Sequence, residues 1–404
     1  MYALMIMLGI VAGFSDNAVL TLMGTTIAEM FVRIFKCISL PIIALSIIVT
    51  ISKYKTDGLR RIVWRRTMLY TLGTTMLAAF VACTLYWVIQ PGMLVVHHMS
   101  NPDIPTETYF SHIANIIPEN LISPFLSHQV ISVLMLGILA GTAIRFIPDD
   151  DARTTITHFF KGAHGLFMVI TNWVITIIPI GLFGFITSTV ISLRQGMDIK
   201  GIGQYLLIIV LANIIQGFVI LPLWLKIKGI KPYSAMRQMM PALSLAFFSK
   251  SSVGTLPVTM ETAEKNLNVD KEISRFVLPL CTSLNMNGCA AFIFTTVIYL
   301  MQNHGITVTA ATMLMWVVIA TIAAIGNAGV PMGCFFLSAS LLASMNIPIT
   351  LLGVILPFYS LIDMLETSLN VWSDACVAKV VDEDLKSLSQ VIQNTPPIPS
   401  QYNV

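Results

Sequence analysis

The sequence predicts an all-α, polytopic membrane protein with two re-entrant helical hairpins arranged as an inverted repeat. Three observations predict it. The 404 residues are 56% hydrophobic and only 11% charged, with a mean hydropathy of +0.81, whereas a soluble domain is about a quarter charged. Apolar runs recur from residue 2 to residue 380, most of them long enough to cross a bilayer. Two of these runs begin and end beside loops of the same charge character, so each enters and leaves on one side.

The candidate spans, in order, are 2–14, 25–52, 67–90, 111–146, 155–193, 202–226, 235–264, 272–302, 307–345 and 350–380. The first, Tyr2–Phe14, has neither a basic leading region nor a small-residue cleavage site. It reads as a retained helix rather than a signal peptide. Runs such as 25–52 exceed the ~20 residues needed to cross, which predicts tilting or kinking. The tail from 389 is polar and Pro-rich and predicts a loose end.

Lys and Arg set the orientation. The 53–66 loop carries Lys53, Lys55, Arg60, Arg61, Arg65 and Arg66; the 226–237 loop carries Lys226, Lys228, Lys231 and Arg237; Lys265, Lys271 and Arg275 follow. The 303–312 and 344–350 connections have no basic residue. Basic loops face the cytoplasm, so both termini are expected there, in a cell membrane. Residues 235–264 then start and finish on the cytoplasmic side, and 307–349 on the other. Their middles, FSKSSVGTLP (248–257) and IGNAGVPMG (325–333), place small polar residues, Gly and Pro where a helix would break. Such backbone is tolerated at membrane depth only against protein or a water-filled site. Two kinked ordinary helices would place the following loops against the charge bias. TSLN recurs at 282–285 and 367–370, after each hairpin in turn, the pattern of an inverted repeat with a mid-membrane site.

A net charge of +3 gives no ground for a nucleic-acid partner. Cys37, Cys83, Cys281, Cys289, Cys334 and Cys376 show no ligand spacing and read as small buried hydrophobes.

The chemistry concentrates in LIDMLETSLNVWSD (361–374). On a helix, Asp363, Glu366, Thr367, Asn370 and Asp374 fall within an arc of about 100°. A stripe of acids costs at least ~2.5 kcal/mol per charge at the bilayer centre unless it is paired. Helix contact alone explains one Asn or Thr, not three acids, so cations must come from elsewhere. Lys250 is the only basic residue between Arg237 and Lys265. It either pairs with Glu366 or Asp363, or snorkels to water. Ions and substrate are the other source. The Asn and Gly of NMNG (285–288) interrupt the preceding helix and free carbonyl oxygens for a hard monovalent cation. With those carbonyls, Asp374 reads as a Na⁺ ligand. Asp363 is placed to receive a substrate ammonium, and hairpin N–H groups a substrate carboxylate.

The runs SKSSVGTLPVTMETAEK, RFVLPLCTSLNMNG, GNAGVP and DMLETSLNVWSDACVAKVV resemble the dicarboxylate/amino acid:cation symporter family, the glutamate-transporter-like fold. The similarity extends from the first helix to residue 380. It implies eight transmembrane helices plus two hairpins, a homotrimer, and an elevator mechanism. Scaffold helices would occupy 1–66 and 93–193, a transport domain 67–92 and 194–388, and a cytoplasmic tail 389–404. By resemblance, Ser251 and Ser252 hold the substrate carboxylate, Asp363 its amino group, Asn370 its backbone end, and Thr367, Val330, Cys289, Glu366 and Lys250 line the pocket. Asp374 binds sodium with carbonyls of Cys281, Asn285 and Asn370. Carbonyls of Ser283, Ala324, Ile325 and Asn327 form a second sodium site.

Two departures shape the functional expectation. The usual Asn-Met-Asp-Gly-Thr motif reads Asn285-Met286-Asn287-Gly288-Cys289 here. The third sodium site implied by the family, with Thr74 and Thr75, therefore lacks its acid, and Thr71 replaces a Tyr. Glu366 stands where members for acidic amino acids carry Arg, and would repel a side-chain carboxylate. The reading is a sodium-coupled amino-acid symporter with two transported sodium ions and a neutral, cationic or cystine-like substrate. Alternatives are a proton- or sodium-coupled dicarboxylate symporter, a passive channel and, more remotely, an intramembrane aspartyl protease. Asp363 and Asp374 would sit roughly 16 Å apart on one helix, too far to share a proton.

Overall fold

The computed structural model describes residues 2–15, 17–52, 59–92, 118, 120–127, 129–194, 200–327, 329, 332–345, 347 and 350–394. Among them all regular structure is helical. Helices α1 (Tyr2–Phe14), α2 (Ala18–Ser52), the single turn α4 (Ser123–Leu126), α5 (Val130–Arg145) and α6 (Asp150–Arg194) form one packed group, with α2 against α5 and α6, and α1 against α6. Helix α3 (Leu59–Ile89) leaves that group and lies against later helices. Helix α6 bends by 52° between Thr171 and Thr176. Pro179 accounts for the bend, because its missing N–H and its ring disrupt bonding to the carbonyl of residue 175.

The sixth apolar run is interrupted for a comparable reason. Helix α7 (Lys200–Ile215) passes into one π-turn (Gln216–Ile220) before α8 (Leu221–Ile227). Pro222 cannot donate to the carbonyl of Phe218, which accepts instead from the Tyr233 hydroxyl at 3.1 Å. The Gly217 carbonyl accepts from Trp372 Nε1, also at 3.1 Å. The bulge thus keeps its carbonyls bonded while Gln216 is held in the buried interior.

Two helical hairpins follow. In the first, α9 (Pro232–Ser249) packs on α10 (Ser252–Lys265) across Lys250 and Ser251. Lys250 adopts the left-handed conformation, φ 54°, and Ser251 caps α10 by accepting from the Gly254 N–H at 3.0 Å. In the second, α13 (Ala310–Ala324) tightens into a 3₁₀ turn (Ile325–Asn327) and returns as α14 (Gly333–Ser344), with left-handed Gly329 and Met332 in the connection.

Between them lie α11 (Lys271–Leu284) and α12 (Asn287–Asn303), separated by the non-helical Asn285 and Met286. Taken as one run, Lys271–Asn303, they have a most apolar window that is 100% buried. This pair is the axis on which α3, α7, α10, α13, α14 and α15 (Thr350–Asn394) pack. Phe292, Phe294, Val297 and Tyr299 fill one core around α12; Leu278, Met239, Trp372 and Val377 fill a second around α9, α11 and α15. Helix α15 runs to Asn394, farther than the loose tail expected from 389. Lys386 on Asp382 (2.6 Å) and Lys379 on Glu383 (2.7 Å) supply spacings that support its last turns. Residues 395–404 lie outside the described residues.

Among the described residues, five helices are long and apolar enough to cross a membrane, or six if the bent α6 is one span. Other apolar helices, α1 and the segments of α2 included, are shorter.

Candidate functional site

The polar stripe sits on one uninterrupted helix, α15, and is fully enclosed. Asp363, Glu366, Thr367, Asn370 and Asp374 are each at most 5% exposed. Gly288, at the start of α12, allows this closeness: a Cβ there would meet Glu366 Cα at 2.7 Å and Glu366 Cβ at 2.8 Å. From that position its N–H donates to Asn370 Oδ1 at 2.9 Å.

Both hairpin tips reach the same region. Ser251 Oγ donates to the Gly329 carbonyl at 3.4 Å, joining tip to tip. Gly329 has φ +66°, and a Cβ on it would press on the Thr282 carbonyl at 2.8 Å, so this turn needs glycine twice over. Ser252 is buried beside it. The Met332 N–H donates to Asp363 Oδ2 at 3.2 Å, and Thr367 Oγ1 donates to the Asp363 carbonyl at 2.7 Å. Val330 lies outside the described residues.

Lys250 Nζ donates to Ser360 Oγ at 2.6 Å. It forms no ion pair with Glu366 or Asp363 among the described residues, so the pairing posed by the sequence is not made. Glu366 Oε2 instead accepts from the Tyr359 hydroxyl at 3.4 Å. Its Oε1 is buried with no hydrogen-bond partner among the described residues. The surroundings are aromatic: the Tyr359 ring lies 4.8 Å from Phe292 and 5.3 Å from Phe335, centroid to centroid.

Two helical turns on, Asp374 Oδ1 accepts from Asn285 Nδ2 at 3.0 Å, and Oδ2 from Thr282 Oγ1 at 3.4 Å. At the end of α11 the Asn285 N–H donates to the Cys281 carbonyl at 2.7 Å, and the carbonyls that follow Cys281 lose their helical donors where the helix stops. Ala324, Ile325 and Asn327 occupy the equivalent end of α13, and that 3₁₀ turn packs on α11, which carries Ser283.

Beside Asp374 lies a neutral amide cluster. Asn287 Nδ2 donates to Asn285 Oδ1 (2.9 Å) and Ser373 Oγ (2.8 Å), and Gln216 Nε2 donates to Asn287 Oδ1 (2.7 Å) and the Thr74 carbonyl (3.1 Å). Thr74 Oγ1 donates to Asn285 Oδ1 at 2.9 Å. Thr71 turns its hydroxyl to its own helix. Thr75 Oγ1 is buried without a partner among the described residues.

The cysteines do not all behave as isolated hydrophobes. Cys289 on α12 and Cys334 on α14 form a disulfide, 45 residues apart in sequence. Asn327 Nδ2 points at both sulfurs, 2.7 Å from Cys289 Sγ and 3.5 Å from Cys334 Sγ. Cys83, Cys281 and Cys376 are free, buried thiols as expected, whereas Cys37 is free but exposed, not the buried hydrophobe expected from the sequence.

Sequence reasoning missed Gln216, Ser373, Tyr359 and Cys334. A signal existed for Gln216, which with Asn213 is one of two amides within LIIVLANIIQGFVILPL, since a polar side chain inside a spanning helix is expensive. None existed for Cys334, because spacing does not encode disulfide partners.

A family model for the sodium:dicarboxylate symporter family matches residues 2–384. The chain is 26% identical to the Caenorhabditis elegans protein glt-4, whose name assigns it provisionally to the sodium-dependent excitatory amino acid transporters, over 88% of this chain and 81% of that protein. It is also 26% identical to the neutral amino acid transporter B(0) of Bos taurus, over 90% of this chain and 75% of the relative. With the human neutral amino acid transporter A the identity is 24%, over 87% and 74% respectively.

Proposed function

The chain belongs to the sodium:dicarboxylate symporter family, whose members are transporters and not enzymes, and from this premise we propose that it couples sodium entry to uptake of a non-acidic amino acid. It is a multi-pass membrane protein, and sodium-coupled amino-acid symport is its function class. The substrate carries an amine, amide or hydroxyl at its side-chain end.

Glu366 carries the substrate reading. Its Oε1 is buried and unpartnered among the described residues, and Lys250 is engaged with Ser360. A buried carboxylate oxygen without a donor is costly, so the matching ligand brings N–H or O–H groups. A side-chain carboxylate would meet repulsion. In this reading Asp363 takes the substrate ammonium, Ser251, Ser252 and the tip N–H groups its carboxylate, and Asn370, Thr367, Val330 and Cys289 line the remainder.

Asp374 is the charged ligand of one sodium, with carbonyls of Cys281, Asn285 and Asn370. Carbonyls of Ser283, Ala324, Ile325 and Asn327 hold a second. The cluster of Asn285, Asn287, Gln216, Ser373 and Thr74 carries no acid, and its internal hydrogen bonds join neutral groups, with Gln216 Oε1 left without a partner among the described residues; the missing acid supports two ions rather than three. An elevator motion of α3 and α7–α15 against α1, α2, α5 and α6 fits the packing, in which the two groups meet mainly through α2 with α14 and α6 with α15. Eight crossings, a homotrimer in a lipid bilayer, and cytoplasmic termini at the cell membrane complete the proposal.

The test is uptake into liposomes under an inward sodium gradient, across labelled neutral, cationic and acidic amino acids, cystine and dicarboxylates. Sodium-driven accumulation of a neutral or cationic amino acid supports the reading. Preferential accumulation of glutamate, aspartate or a dicarboxylate contradicts it.

A further inference from the structure

Cys289 Sγ, Cys334 Sγ and one carboxylate oxygen of Glu366 lie within 4.8 Å of one another, and all three residues are 1% exposed. They come from three different helices, α12, α14 and α15, so the fold rather than local sequence assembles the group. Two soft sulfur donors beside one hard oxygen match a thiophilic divalent cation such as Zn²⁺ or Cd²⁺, and do not match Na⁺. An independent observation points the same way: Glu366 Oε1 has no hydrogen-bond partner among the described residues. Asn327 adds a buried amide donor aimed at both sulfurs, an outer hydrogen bond of the kind that orients metal ligands.

We propose that Cys289, Cys334 and Glu366 form a redox-gated site for a thiophilic divalent cation. In the disulfide form the sulfurs are bonded to each other and cannot serve as thiolates. A dithiol or phosphine reductant delivers two electrons, two protons enter, the S–S bond breaks, and two thiols result. A divalent cation then displaces both thiol protons and forms two metal–sulfur bonds, with the Glu366 carboxylate as third ligand. Two thiolates and one carboxylate offset the cation's two charges and leave one negative charge, which the Asn327 N–H groups face. A fourth position stays open to water or another donor, as in three-ligand zinc sites. The disulfide in the oxidised state, and the cation once bound in the reduced state, each fasten α14, the returning arm of the second hairpin, to α12. The cation would therefore hold that hairpin in place, as the disulfide does.

The test uses full-length detergent-purified protein without sodium or amino acid, so it does not depend on the transport reading. Protein is reduced with a phosphine, desalted, and titrated with Cd²⁺ while thiolate-to-metal charge-transfer absorption and bound metal are measured. Expected are one Cd²⁺ per reduced chain with that absorption, and its absence in untreated protein. Cys289→Ser and Cys334→Ser should each lose the site, whereas Glu366→Gln should keep the absorption but weaken affinity by roughly 10–100-fold. The comparison of reduced with untreated wild type needs no variant, and Cys334→Ala checks the serine result. Equal binding by reduced and untreated protein, retention in Cys334→Ser, or no thiolate absorption in reduced wild type would each overturn the proposal. Sodium-driven uptake is measured separately, so loss of the metal site and loss of symport are distinguishable.

Discussion

Asn285 donates its side-chain amide to the carboxylate of Asp374 at 3.0 Å, across the gap where α11 stops and α12 begins. The acid is 1% exposed and has no basic side chain against it among the described residues. Two neutral donors, Asn285 and Thr282, do not cancel a full buried charge, and in the proposed reading a sodium ion supplies the balance. Asp374→Asn should therefore abolish sodium-dependent uptake and sodium-induced thermal protection, with the folded protein retained. Unchanged sodium affinity in that variant would remove Asp374 from the ion site.

The neighbouring amide cluster makes a prediction about ion count. Asn287 is bonded on both ends of its amide, to Gln216, Asn285 and Ser373, and contributes no charge. Reversal potentials in liposomes should therefore give two sodium ions per substrate. Asn287→Asp should raise sodium affinity or count, because it places an acid beside the Thr74 hydroxyl, 3.5 Å from the Asn287 amide. A wild-type count of three would show that neutral groups suffice for the third ion.

How much of this was legible beforehand depended on where the partners lie. The stripe from Asp363 to Asp374 is periodic within one helix, and periodicity is written in the chain. The break at Asn285 and Met286, and the left-handed turns near Lys250 and Gly329, likewise follow from local Gly, Asn, Ser and Pro content. Pairings between elements are another matter. The Cys289–Cys334 bond, the donation of Lys250 to Ser360, and the reach of Gln216 to Asn287 each join distant positions, and each depends on a tertiary approach that no local pattern encodes. The π-turn illustrates the boundary. Pro222 is visible, but which carbonyl it frees, and that Tyr233 and Trp372 take up the slack, emerges only from packing.

Gly288 offers a test of the close contact between α12 and α15. Its added Cβ would meet backbone, Glu366 Cα at 2.7 Å, rather than a yielding side-chain end. Gly288→Ala should push the helices apart and lower stability by about 1–3 kcal/mol, read as an earlier thermal unfolding transition. Uptake should fall with it, because the Gly288 N–H would be drawn off Asn370. A variant with wild-type stability and uptake would show that the two helices separate without cost.

In the proposed reading Glu366 decides substrate class. Its carboxylate has one long contact, the Tyr359 hydroxyl at 3.4 Å, and one oxygen with none among the described residues, and the Tyr359 ring packs on Phe292 and Phe335. A cationic substrate would supply the missing partner in full, and a neutral polar one in part. A charge left buried without its partner costs roughly 3–5 kcal/mol, a factor of hundreds or more in affinity. Glu366→Gln should accordingly weaken a cationic substrate by orders of magnitude while changing a neutral one only mildly, which sorts the two classes in a single uptake panel. Glu366→Arg should shift selectivity toward glutamate and aspartate, since a fork of donors replaces a repelling acid. Tight aspartate or glutamate uptake by wild-type protein would mean that the substrate side chain points away from Glu366, and the electrostatic argument at this residue would fail.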